Sequence, residues 1–171
     1  MDATIRRSTV YSHQGDYAKA LEWYYEALAI SVRVFGTEPP DTAATYNNIA
    51  LSYNYQRDYA KALEWYYKAL AIYEKVLGAE HPFTATAYSN IALAYYYQRD
   101  YTKARDLFCR AVIILTNCNL ADHLHAKSAF KAMRHSYKKA GGKKKTLKRG
   151  LMSASKATAN RAKRLYFKYF P

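Results

Sequence analysis

The 171-residue chain carries no Asp or Glu after Asp122, has only two cysteines, and contains four prolines and six glycines. Each scarcity excludes something. Cys109 and Cys118 are too few for a disulfide framework and suit a reducing compartment. No stretch approaches 18 apolar residues, so no membrane-spanning helix is expected. The N-terminus lacks the apolar core of a signal peptide, and a cytoplasmic protein is the expectation. Glycines are not clustered into a phosphate-binding loop, and neither a nucleophile motif nor carboxylates paired at functional spacing occur, so the chain does not read as an enzyme. Cys118, Asp122, His123 and His125 can be drawn as a metal cluster, but their spacing is generic and no second cluster completes four ligands. No metal, cofactor or small-molecule substrate is expected.

What the chain does contain is itself, again. QGDYAKALEWYYEALAI at 14–30 returns as QRDYAKALEWYYKALAI at 56–72, identical at 15 of 17 positions, and more loosely as QRDYTKARDLFCRAVII at 98–114. Both intervals are 42 residues. A fixed period of this length is the mark of stacked supersecondary units rather than of a fold around one central core.

The second repeat shows what each unit encodes. After Pro39-Pro40, a helix A over about 42–56 carries Tyr46, Ile49, Ala50 and Tyr53 at i, i+3, i+4, i+7, one apolar helical face. Asp58 is placed to cap a helix B over about 59–77, whose apolar positions include Ala62, Leu63, Tyr66, Ala69, Leu70 and Tyr73. Gly78 and Pro82 end it. Ala50 and Ala62 are small where two helices joined by a short turn must approach closely. The third repeat follows with Tyr88, Ile91, Ala92, Tyr95, Tyr101, Ala104, Phe108 and Ala111. Trp23 and Trp65, which recur on helix B, read as packing residues, and Cys109 as a small packed thiol.

Tyr, then Ile-Ala, then Tyr, then Q-x-D-Y, then Ala, Tyr/Phe and Ala resembles the tetratricopeptide repeat. The 42-residue length, with a long second helix ending in EKVLGAEHP, is similar to the kinesin light chain subgroup. The resemblance is strong over 10–116 and weak over 120–140. It implies an all-α fold, a right-handed α-solenoid of antiparallel helix pairs. The domains expected are a repeat array over 1–121 (units 1–36, 41–78 and 83–117), a capping helix over 122–140, and a basic tail over 141–171, disordered or helical. Two departures stand out. The first repeat has Arg6 and Arg7 where apolar residues are expected and reads as a frayed or capping half. In the last, Phe130, Met133 and Tyr137 keep the register while Arg134 replaces the small Ala92, so a lone helix covering Val112, Ile113 and Leu115 is expected.

In such an array the A helices line a concave groove. Residues of helix A not used against helix B are Asn47, Asn48, Leu51, Asn54 and Tyr55 in the second repeat, and Ser89, Asn90, Leu93, Tyr96 and Tyr97 in the third. An amide both donates and accepts, so it can pair with the backbone of an extended peptide whatever its sequence. Tyrosine gives contact area at low entropic cost. The family resemblance implies that Asn47, Asn48 and Asn90 hold peptide, with Ser89 standing where the motif has a second Asn.

Charge divides the chain. Residues 1–122 hold 12 Lys/Arg against 13 Asp/Glu, whereas 123–171 hold 15 Lys/Arg and no acid. The whole net charge of +14 therefore lies in the last stretch. The function expected is a non-enzymatic module binding a protein or peptide partner in the groove. The alternative is polyanion binding, to nucleic acid or an anionic membrane, through Lys143, Lys144, Lys145, Lys148, Arg149, Arg161, Lys163 and Arg164, with the repeats as support. Oligomeric state, partner identity, and whether this is a whole protein or part of a longer array stay open.

Overall fold

A computed structural model describes residues 2–36, 39–118 and 124–141. The described residues form seven helices and no strand: α1 (Asp2–His13), α2 (Tyr17–Phe35), α3 (Pro40–Tyr55), α4 (Tyr59–Val76), α5 (Pro82–Tyr97), α6 (Tyr101–Asn117) and α7 (Leu124–Lys139). The chain divides into two compact bodies, 1–79 and 80–171. In the first, α1 packs on α2, α2 on α3 and α3 on α4; in the second, α5 packs on α6, and α7 on both. In repeat terms α1, α3, α5 and α7 are A helices and α2, α4 and α6 are B helices. Helix α3 begins at Pro40, two residues before the expected start, because proline at the first helical position has no N–H to leave unsatisfied. Pro82 opens α5 in the same way.

The Gln-x-Asp segment is one device used three times. Gly15, Arg57 and Arg99 take left-handed backbone, with φ of 79°, 64° and 66°. The amide of the following Asp then reaches back to a carbonyl in the last turn of the preceding helix, Asp16 to Tyr11, Asp58 to Tyr53 and Asp100 to Tyr95, each at 3.0 Å. This is the 6→1 bond of a Schellman C-cap. The same Asp caps the next helix, its Oδ1 accepting from the backbone of Lys19, Lys61 or Lys103. Each lysine ammonium also pairs with that carboxylate at 3.0–3.1 Å and lies over the ring of Tyr11, Tyr53 or Tyr95. Hydrogen bonds from the lysine hold all three carboxyls below the usual aspartate value.

Left-handed backbone costs a β-carbon-bearing residue about 1–2 kcal/mol, while glycine loses about 0.5–1 kcal/mol more conformational freedom on folding. Arg57→Gly and Arg99→Gly, which copy Gly15, are therefore expected to stabilise the protein by up to about 1 kcal/mol each. A urea titration of each variant checks this, and a lowered midpoint in both would refute it.

The first core gathers Ala20, Leu21, Tyr24 and Ile49, with Tyr11, Leu28, Tyr53 and Trp65 packed around them. Trp65 meets Tyr25 and Tyr46 ring to ring and carries the Lys68 ammonium over its face; Trp23 carries the Arg7 guanidinium at 4.8 Å. Trp65 is a packing residue. The second core gathers Ala92, Ala104, Phe108, Val112, Ala129, Phe130, Met133 and Tyr137, with Ile113 and Cys109 against it. Burial pushes the Cys109 thiol up to about 12. Leu115, with Phe108, meets Ser128 and Ala129 of α7 across a small hollow of about 180 Å³.

Of the two expectations for the first repeat, a frayed or a capping half, the frayed one is corrected. Helix α1 is continuous over 12 residues. Its packing uses Tyr11, set against the first core, and a small residue rather than a full apolar stripe: Ser8 stands 42 residues before Ala50 and 84 before Ala92, and all three are 0% exposed. A small residue at the crossing point, its hydroxyl satisfied by the Ile5 carbonyl at 2.7 Å, is sufficient for the close approach.

Candidate functional site

Helical periodicity places the candidate residues one row away from the core. On α3, Asn47, Asn48 and Leu51 are partly exposed. The Asn48 side chain makes no hydrogen bond among the described residues, its backbone carbonyl being the acceptor for Ser52. Tyr55 is 53% exposed, and its ring stacks on that of Tyr17 at 4.9 Å and 16°. This tyrosine is thus held flat by α2 rather than left to swing. Asn54 differs from expectation. It is 5% exposed, and its Oδ1 has no partner among the described residues. The reason is its row: Asn54 lies four residues after Ala50 and eleven after Ala43, both fully buried. It stands at the edge of the packed face, not on the open one.

In the second body α5 presents Ser89, Asn90 and Leu93, partly exposed, with Tyr97 at 49%. Tyr96 is edge-on to Tyr97, Tyr101 and His135, with centroids 5.4–5.8 Å apart. Here a second helix takes part. An open hollow of about 570 Å³ has Leu93 and Tyr96 on the α5 side and Ser128, Lys131, Ala132, His135 and Lys138 on the α7 side. The smaller hollow beside it reaches Ser89 and Asn90. The structure therefore brings together Ser89, Asn90, Leu93 and Tyr96, and adds α7 residues that the repeat pattern had assigned only to capping.

The signal for them was in the register. Lys131, Ala132, His135 and Lys138 stand 42 residues after Ser89, Asn90, Leu93 and Tyr96, the same positions on the next A helix. Only one side of α7 packs inward. Phe130, Met133 and Tyr137 go into the core, and the opposite face continues the exposed surface. Residues 143–164, proposed from sequence to bind polyanions, lie outside the described residues, as do Asp122 and His123. Among the described residues no group of metal ligands occurs, and no helix is long and apolar enough to cross a membrane.

A tetratricopeptide repeat family model matches residues 2–75 and again 41–117. The chain belongs to the tetratricopeptide repeat family. No curated protein matches it significantly. Among solved structures, BtubC (BKLC) from P. vanneervenii is 25% identical with a TM-score of 0.73, the match covering 98% of this chain and 65% of that one. The chain thus spans just under two thirds of BtubC. A kinesin light chain-like protein of nearly identical TPR-like repeats from Podosopora anserina has 18% identity and a TM-score of 0.75 over 98% of this chain and 87% of its own. A point variant of that protein gives 19% and 0.76 over the same shares. These neighbours share the kinesin light chain-like tetratricopeptide fold, and repeats of this family generally mediate protein–protein interaction.

Proposed function

We propose that the chain is a non-enzymatic interaction module whose A helices hold an extended peptide or a partner helix. The observation that carries this reading is the recurrence of Asn48 and Asn90 at one repeat position, partly exposed, each one residue before a wholly buried Ile49 or Ile91. A partly exposed amide on a rigid helix offers both a donor and an acceptor to the partner's backbone. Leu51 and Leu93 supply apolar contact beside it, and Tyr55, held by Tyr17, a rigid aromatic surface. Asn47 and Ser89 flank the amides; Asn54, being buried, acts through packing. The partner is a protein segment rather than a metabolite, because each amide offers the donor and acceptor that a peptide backbone pairs with.

The test uses a peptide selected from a random display library on the full chain. Asn48→Ala with Asn90→Ala is expected to weaken that peptide by about 1–3 kcal/mol, since buried backbone groups of the ligand lose their hydrogen bonds. The circular dichroism spectrum should not change. Parental affinity in the double variant removes these helix faces from the binding site. The alternative reading, polyanion binding through residues 143–164, is separated from it by salt, which weakens phosphate contacts steeply and amide contacts little.

A further inference from the structure

Between α5 and α7 the exposed surface changes its chemistry. At the two positions where α3 has Asn47 and Asn48 and α5 has Ser89 and Asn90, α7 has Lys131 and Ala132. The backbone-reading amides are gone. In their place Lys127, Lys131, Arg134 and Lys138, at i, i+4, i+7 and i+11, run along α7 and are all exposed. At 1.5 Å per residue this row extends over about 16 Å. Lys127, Lys131 and Lys138 form no ion pair among the described residues, and no acidic residue occurs anywhere in 123–171 to offset them.

Charge alone would mark a solvated face. The aromatic wall makes it a site. The hollow is rimmed by Lys131, Arg134 and Lys138, and Tyr96 lines it, held edge-on by Tyr97, Tyr101 and His135. A row of cations beside a fixed aromatic ring, opening on a hollow of about 570 Å³, is the combination that tracks a phosphate backbone while an unstacked base lies on the ring. An acidic peptide would use the same cations, and a polyglutamate comparison separates it from a strand that also stacks a base on the ring. A duplex keeps its bases paired and stacked and offers none to Tyr96.

We propose that the hollow between α5 and α7 binds single-stranded nucleic acid, with phosphates on Lys131, Arg134 and Lys138 and a base against Tyr96. This goes beyond the peptide reading and does not depend on it.

The test is fluorescence anisotropy of the full chain with a labelled 12-nucleotide oligo(U), alongside polyglutamate and phosphatidylserine-containing vesicles. Lys131→Gln with Lys138→Gln is expected to weaken oligo(U) severalfold and to lower the slope of log affinity against log salt by about 1.4, two single-strand phosphates at about 0.7 each. Tyr96→Leu is expected to weaken it roughly 5- to 150-fold, the range of one lost base stack, whereas Tyr96→Phe binds as the parent. The two lysines are exposed and their loss leaves the fold intact, so that arm stands even if Tyr96→Leu melts. Three outcomes overturn the proposal: a folded Tyr96→Leu variant of parental affinity; a lysine variant with the parental salt slope, placing the strand on other cations; or polyglutamate or vesicles bound as tightly as oligo(U) through the same lysines. The peptide test reads Asn48 and Asn90 with a selected peptide and this one reads Tyr96, Lys131 and Lys138 with oligo(U), so failure here and failure of the peptide reading are distinguishable.

Discussion

Phe108→Ala is expected to remove about 3–5 kcal/mol of stability, the usual cost of emptying an aromatic site in a packed core. Phe108 is 2% exposed and belongs to one cluster with Ala92 of α5 and with Ala129, Phe130 and Met133 of α7. The loss is a large share of the ~5–15 kcal/mol that holds a domain together. It should fall first on α7. That helix is retained by a narrow apolar stripe against α6 and α5, while its other face is cationic and gains nothing from burial. Urea unfolding followed by circular dichroism measures the total, and amide hydrogen exchange locates it. The expected pattern is faster exchange in α7 well before the main transition, and a cost for Phe108→Leu of less than about 1.5 kcal/mol. A Phe108→Ala midpoint close to the parent's, or undiminished protection in α7, would show that this ring does not anchor the helix.

Ala50→Leu tests the opposite error, too much volume rather than too little. Ala50 on α3 and Ala62 on α4 are both wholly buried on packed helices. Extra methylenes here force side chains off rotamer or helices apart, at about 1–3 kcal/mol. Ala50→Ser should cost far less, because Ser8 already occupies the equivalent crossing on α1 with its hydroxyl bonded to a carbonyl one turn back. The same urea titration ranks the three. If Ala50→Leu equals the parent, the helix pair is not set by the small residue and the periodic alanines lose their explanation.

How much was legible in the residues varies with the kind of information each carried. The Gln-x-Asp turn was readable because its work is local. Asp58 caps the helix that begins one residue later, and no distant contact is needed. The helix faces were readable for the same reason, since Ile49, Ala50 and Tyr53 on one stripe leave little choice of which side goes inward. Helix α1 departs from expectation because Tyr11 and one small residue serve where a full apolar stripe was looked for. Ser8 does what Ala50 does, but a serine does not register in a hydrophobic pattern. Asn54 was misplaced by counting polar residues outward, although its row runs through Ala43 and Ala50. The α7 residues that line the hollow were missed through treating that helix only as a cap, when the 42-residue register already aligned Lys131 and His135 with Ser89 and Leu93.

By itself the amino-acid order determined the repeat length, the helix pairs, their caps and the side of each that is buried, because these rest on periodicity and on contacts within a turn or two. Only the tertiary structure decided which outward residues share a surface. Tyr96 and His135 are 39 residues apart in sequence, yet their rings meet at 5.6 Å over one hollow because α5 and α7 pack in the same body. Long-range packing chooses such pairs, and no local pattern encodes them.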